Sequence, residues 1–210
     1  MTAGVWPLAD LQVVTPRLTL RYISDDLGEE LALLAARGIH DSIPWANAPS
    51  PQLERNMVRF YWRNRAETTV EHWDLNLAAV VEGVAVGACS IQADAFPTRR
   101  IVETGSWLGR DYQGQGFGNE MRQAALHLIF AGFDADLTTT RAWQDNTASL
   151  RVTRSLPYTE TGTSPKQRRG RIDAMVEFSM TAEQWATARQ DDIHLVGVEA
   201  VREQLTLARL

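Results

Sequence analysis

With 210 residues, 44% of them hydrophobic, the chain can fill one well-packed core. Its 26 acidic residues against 21 basic ones leave a net charge of -5, which disfavours a general nucleic-acid binder and tolerates a cationic substrate. A single cysteine, Cys89, excludes an internal disulfide, and no apolar run approaches the ~20 residues that span a bilayer.

The opening MTAGVWPLADLQ has no basic segment followed by a long apolar run, so a cytoplasmic address is expected, with no membrane partner. TPRLTLRYI (15–23) alternates, Leu18 and Leu20 pointing one way and Arg17, Thr19 and Arg21 the other, which predicts a strand. DDLGEELALLAARGI (25–39) carries Leu31, Leu34 and Ala35 at helical spacing and stops near Gly38. SIPWANAPSP (42–51) is a proline-rich loop, after which Ser50 is expected to cap a helix begun by Pro51 and ending near Ala66. WDLNLAAVVEG (73–83) and VAVGACSIQAD (84–94) read as two strands around a turn at Glu82-Gly83, and RIVETGSWLGR (100–110) as a third.

A glycine turn follows, then a helix to Gly132, a β-branched strand LTTTRAW (137–143), and a short helix over 146–156 capped by Asn146 and stopped by Pro157. YTETGT (158–163) and DAMVEFSM (173–180) are strands around a basic loop. TAEQWATARQ (181–190) is a helix with Thr181 and Gln184 as its capping box. Beyond it, Ile193, Val196, Val201 and Leu205 are too apolar for a solvated tail and are expected to pack on this subunit or a neighbour. No internal repeat stands out. The order of elements predicts a single α/β domain of mixed α+β character over 1–180, with 181–210 as a C-terminal helical extension.

QGQGFG (113–118), between a strand and a helix, reads as an anion cradle. Helix N-termini expose amides and partial positive charge, and glycine lets a phosphate approach the backbone. Walker A fails, because Asn119-Glu120 follows where Lys-Ser/Thr is required. The dinucleotide fingerprint fails at its sixth position, again Asn119. The competing reading of the glycines is a tight turn that binds nothing.

Gln113-Gly114-Gln115-Gly116-Phe117-Gly118 matches Q/R-x-x-G-x-G/A and resembles the pyrophosphate loop of the GNAT acetyltransferases. TPRLTLR and ETGSWLGRDYQGQGFG are similar to the opening strand and the strand-plus-loop of that family's RimJ/RimL-like branch. DNTASLRVTRSLPY resembles the branch's Asn-x-x-Ser helix, with Pro157-Tyr158 where Gly-Phe is usual. The motifs lie in the expected order over about residues 15 to 180. The resemblance implies a GNAT-like central mixed, mostly antiparallel sheet flanked by helices. It implies acetyl-CoA as co-substrate and no metal. The strand backbone near Trp107 and Leu108 would pair with the pantetheine arm, the amides of Gln115 to Gly118 would hold the pyrophosphate, and Asn146 would reach the pantetheine.

Acetyl transfer to an amine needs a neutral amine, a stabilised thioester oxygen and an exit for the thiolate. Glu103 is the candidate base, on the same strand face as Gly105 and Trp107 and at a position resembling the glutamate that many GNAT enzymes use. Its competing role is an exposed ion pair with Arg100. The tyrosine that many GNAT enzymes place on the later helix is replaced here by Thr153. Ser149, one turn earlier, matches the serine that the RimL-like branch gives this role; its competing role is a helix-interior hydroxyl bonded to a carbonyl. Arg168 stands where that branch has a glutamate, a departure from its pattern.

KQRRGR (166–171), Arg151 and Arg154 read as solvated, with the coenzyme 3′-phosphate as the alternative contact. His40, His72, His127 and His194 show no metal-ligand spacing. The aromatics of 43–49 and of FYWRNR (60–65) could line an acceptor pocket, with Trp62 read as core. Cys89 reads as a small buried apolar residue. The resulting expectation is an N-acetyltransferase acting on a primary amine, a peptide α-amine or a small molecule, by direct attack in a ternary complex. The competing class is a non-catalytic acyl-CoA-binding module; a nucleotide-binding α/β domain fits less well. Self-association as a homodimer is left open.

Overall fold

The computed structural model describes residues 4–39, 48–168 and 170–206. Residues 42–47 of the proline-rich loop, with Trp45, lie outside the described residues, as do His40 and Arg169.

The first predicted strand is in fact the return of a hairpin. β1 (Gln12–Val14) and β2 (Thr19–Tyr22) pair antiparallel with Val14 opposite Thr19. The intervening turn is held by the Thr15 amide and hydroxyl on the Leu18 carbonyl, both at 2.9 Å. Pro16 has no amide to give a ladder, so the chain turns there. α1 (Asp25–Ala36) is capped by Ser24. α2 (Gln52–Glu67) departs from expectation at its start: Pro51 occupies the N-cap, and the Ser50 hydroxyl donates to the Glu54 carboxylate instead of accepting from a helix amide.

β3 (His72–Val81) and β4 (Val84–Asp94) form a hairpin whose turn residues Glu82 and Gly83 both adopt positive φ. After a short α3 (Phe96–Arg99) come β5 (Ile101–Leu108), α4 (Phe117–His127), β6 (Leu137–Trp143) and α5 (Thr147–Arg154). β7 (Thr159–Arg168) and β8 (Arg171–Thr181) are longer than expected. The basic stretch belongs to their ladder, with Lys166 opposite Asp173 and Arg168 opposite Arg171.

The tail is not purely helical. α6 (Ala182–Ala186), with its capping box formed, is followed by β9 (His194–Val196), which pairs with β1, and by α7 (Val198–Leu205). Val201 and Leu205 are fully buried against this same subunit's core.

The nine strands form one sheet in the order β7-β8-β6-β5-β4-β3-β2-β1-β9. Every neighbouring pair is antiparallel except β5 and β6, which α4 joins as a crossover. α4 and α7 cover one face with Trp73, Phe96 and Phe133 in its core, and α1 and α2 cover the other. The single parallel pair positions the site. β5 and β6 are in register only over 101–104 and 137–140; beyond that, β5 stays with β4 and β6 stays with β8. The sheet therefore forks at its centre.

Candidate active site

The glycine turn sits beside this fork. A 3-10 turn covers Arg110–Tyr112, and Gly116 is the N-cap residue of α4. Gly114 and Gly116 hold φ of +73° and +88°, values that a Cβ disfavours. Gly118 is tolerant by comparison: a Cβ there would meet Val152 at 3.5 Å and Leu108 at 3.6 Å, ordinary contact distances. The amides of Asn119 and Glu120 turn back to the Gly116 carbonyl. Among the described residues no acceptor takes the amides of Gln115, Gly116, Phe117 or Gly118. The two glutamines face the protein, Gln113 donating to the Leu108 carbonyl at 3.0 Å and Gln115 to the Asp111 carbonyl at 2.7 Å. The Leu108 carbonyl, assigned by resemblance to the ligand arm, is thus already engaged.

Arg17 secures the turn from outside. Its guanidinium donates to the Gln115 carbonyl at 3.1 Å, lies 4.9 Å from the Phe117 ring centre and pairs with Glu120 at 2.6 Å. Glu120 also accepts from the Arg17 amide at 2.9 Å and the Thr15 hydroxyl at 2.6 Å. The acid that disqualified Walker A therefore latches the first hairpin to α4.

The fork opens into a cavity of about 610 Å³. Asn76, Ser90 and Gly105, which are partners across β3, β4 and β5, contribute to its lining together with Phe60 and Tyr61 of α2 and Trp143 of β6. Trp107 of β5 and Tyr61 of α2 pack in one buried cluster, which ties the strand to the helix. Cys89 also lines the cavity, but burial pushes its thiol up to about 12, against the pull of the Arg122 charge. It is a neutral wall and no nucleophile.

Two register rows away, on the same face, lie Asp74, Gln92 and Glu103. Glu103 thus shares the face of Gly105 and Trp107, as alternation requires. Its ion pair is with Arg141, at 2.9 Å; the expected partner Arg100 pairs with Asp134 at 2.6 Å. The parallel register puts Thr139 beside Glu103 and so brings Arg141 close, which the sequence does not show. Asp74 escapes sequence reading altogether. Burial pushes its carboxyl up to about 6, and the Glu103 charge adds to this, while His72, Asn76 and Arg63 act in the opposite sense. Asn64 and Asn76 donate to its two oxygens at 2.8 and 3.3 Å.

Asn146 and Ser149 also line the cavity, from the start of α5. Asn146 accepts from the Ser149 amide at 3.1 Å and caps the helix. The Ser149 hydroxyl donates to no carbonyl among the described residues, contrary to the helix-interior alternative. Thr153, in the place of a tyrosine, is buried and donates to the Ser149 carbonyl at 3.1 Å. Arg168 is not at a solvated tip: it is 4% exposed, pairs with Asp145 at 2.7 Å and Asp173 at 2.9 Å, and lies 4.3 Å over the Trp143 ring. Trp62 belongs to neither core nor cavity; it is half exposed and donates to Asp25 at 3.1 Å.

Three solved structures show the same fold. One is a protein from Vibrio cholerae described as a ribosomal-protein-serine acetyltransferase, 22% identical, with 82% of this chain and 98% of that chain covered at a TM-score of 0.66. A second is RimL, a ribosomal alpha-N-protein acetyltransferase in complex with coenzyme A, 18% identical over 80% and 96% of the two chains, at 0.66. A third is a spermidine N-acetyltransferase chimera from Vibrio cholerae and hSSAT, 13% identical over 81% and 99%, at 0.67. The family model described as "Acetyltransferase (GNAT) domain" matches residues 17–159, a span that runs from the arginine latched to α4 through the glycine turn and the fork to the start of β7. The chain therefore belongs to the GNAT acetyltransferase family.

Proposed function

We propose that the chain transfers the acetyl group of acetyl-CoA to a primary amine, a peptide α-amine or a small-molecule amine, by direct attack in a ternary complex. The observation that carries this reading is the continuity of one path. Amides that no described acceptor takes, at the mouth of α4, lead to the stretch of β5 beyond its ladder with β6, and that stretch borders the cavity. A diphosphate suits the amides, and the pantetheine amides suit the edge of β5 that has parted from β6. The acetyl group then arrives at the fork. Asn146 stands beside that path.

In this reading Glu103, or Asp74 in the same row, accepts the proton of the incoming ammonium directly or through water. The proton costs about 1 kcal/mol for an α-amine near pKa ~7.8 and about 4.6 kcal/mol for a lysine near ~10.4, at pH 7. A site whose Glu103 is shared with Arg141 suits the easier case. Ser149, whose hydroxyl is not committed to the helix, stands available as a donor toward the coenzyme sulfur. The similar structures are named for acceptors as different as ribosomal proteins and spermidine, so the fold alone does not choose the acceptor.

The test is acetylation of an amine panel read by mass spectrometry, with coenzyme release followed in parallel. The panel includes one peptide with a free N-terminus and no lysine, and a matched peptide that is blocked and carries one lysine. Acetylation of the free N-terminus or of a small amine is expected. Coenzyme binding without transfer to any amine would favour the non-catalytic module, and consistently faster modification of the blocked peptide would overturn the α-amine preference.

A further inference from the structure

The fork contains a charge that the fold does not explain. Arg122 projects from α4 into the gap where β5 and β6 part. It donates to the Thr140 hydroxyl on β6 at 3.0 Å and the Ser106 hydroxyl on β5 at 3.3 Å, and it is 4% exposed. No carboxylate lies within ion-pair distance of it among the described residues. Arg168, buried to the same degree, has two.

A guanidinium stays protonated in a protein, and burying one without an anion is unfavourable. Two neutral hydroxyls recover only part of the lost hydration. They do fix the group in place, one on each arm of the fork, in the lining of the cavity. Cys89, beside it, is kept neutral by burial and cannot act as counter-ion. Among the described residues nothing supplies the missing negative charge, and a ligand seated in the cavity would meet the guanidinium.

We propose that Arg122 is a catalytic residue whose guanidinium receives the negative charge of the coenzyme A thiolate as it leaves the acetyl group. The proposal rests on the acetyltransferase reading above. In the step, the amine nitrogen attacks the thioester carbonyl carbon and a C–N bond forms. As the adduct collapses the C–S bond breaks, and its electron pair stays on sulfur. The amine's proton passes to a carboxylate or to water, and the sulfur later takes a proton from solvent. Arg122 gives up no proton. The products are the N-acetyl amine and the coenzyme thiol, with atoms and charge balanced. A fixed cation thus does for the thiolate what a phenol would do by protonation. Thr153, buried and bonded to the Ser149 carbonyl, cannot supply that proton.

The experiment titrates the thiol of bound coenzyme A by the ultraviolet absorbance of its thiolate. In the native protein the thiol should titrate about one unit or more below its value in free coenzyme, the lower end of the effect of an opposite charge within ~4–6 Å. Arg122→Met should abolish the shift, and Arg122→Lys should keep most of it. In turnover, Arg122→Met should lower kcat by at least about tenfold while KM for acetyl-CoA moves much less, and Arg122→Lys should restore part of the loss. A bound thiol that titrates at its free value in the native protein, or equally in native and Arg122→Met proteins, overturns the proposal and leaves the acetyltransferase reading intact. Failure of the native protein to bind coenzyme A in calorimetry overturns both. The native titration needs no variant to fold.

Discussion

Glu120→Gln is the substitution whose effect is best worked from the structure. The Glu120 carboxylate is mostly buried and accepts from Arg17 Nε at 2.6 Å, the Arg17 amide at 2.9 Å and the Thr15 hydroxyl at 2.6 Å, with Arg17 Nη2 also at 2.6 Å. Glutamine keeps one acceptor oxygen for the Arg17 amide but turns an NH2 toward the guanidinium. A hydrogen bond to a charged group is worth about 1.5–3 kcal/mol. Arg17 is half exposed, so water screens the pair and its share falls to about 1 kcal/mol or less. The Thr15 hydroxyl bonds the same Glu120 oxygen as the Arg17 amide, so glutamine keeps that bond as well, and the loss falls on the guanidinium side. The net cost is about 1–2 kcal/mol, or roughly 2–8 °C of melting temperature for a chain of this size.

The effect should depend on pH in a definite sense. Burial acts to raise the Glu120 pKa, but the Thr15 and Arg17 hydrogen bonds outweigh it and the folded value is lowered. The stabilisation is then complete above the unfolded value near ~4.3 and is lost as pH falls through the folded value. Thermal melts of both proteins from neutral to acid pH should show a gap that is constant near neutrality and closes in acid. Coincident melts at neutral pH, or a gap that widens on acidification, would refute the reasoning.

Gly114→Ala and Gly118→Ala should behave differently. At Gly114 the left-handed φ strains any side chain, and nothing in the protein lies within 4 Å of the new Cβ, so coenzyme affinity should fall several-fold. At Gly118 affinity should hold and stability should not drop, because alanine fits at 3.5 Å and is the better helix former by ~1 kcal/mol; calorimetry and melts check both. Asp74→Asn removes a carboxylate whose pKa burial raises to about 6, so the folded protein holds a proton the unfolded chain has lost, and native stability falls between about pH 4 and 6. The variant should therefore melt higher than the native protein at pH 8 and lose that advantage near pH 4. Val201→Asp places a charge in a fully buried site of α7 and should lower the melting temperature by several degrees; an unchanged melt would mean that the tail adds nothing to the core.

What the sequence reveals here depends on the distance over which each feature is built. LTTTRAW carries three β-branched threonines in a row and becomes β6 residue for residue. The Thr181–Gln184 capping box and the φ-positive glycines before α4 need only their neighbours, and both are legible. The Thr15–Leu18 turn is masked by the very alternation that suggests a strand, since Leu18 and Leu20 keep their inward pointing across it. β9 is three residues long and gains its identity only by pairing with β1, some 180 residues earlier in the chain.

The active site divides in the same way. Its donor half is one continuous segment, β5 through α4, and the glycines announce it. Its acceptor half is assembled from α2, β3, β4 and β6. Asp74 lies in WDLNLAAVV, an unremarkable strand, and acquires its shifted carboxyl only from the helix packed above and the register beside it. Arg122 did leave a trace. It falls on the buried stripe of α4, three and four residues before Ala125 and Leu126, where a charge has no business unless something answers it. A charged residue at apolar spacing, next to a loop that already points to an anionic ligand, is thus the one long-range feature of this site that periodicity alone could have flagged. It is also the one for which no described residue supplies an ion-pair partner.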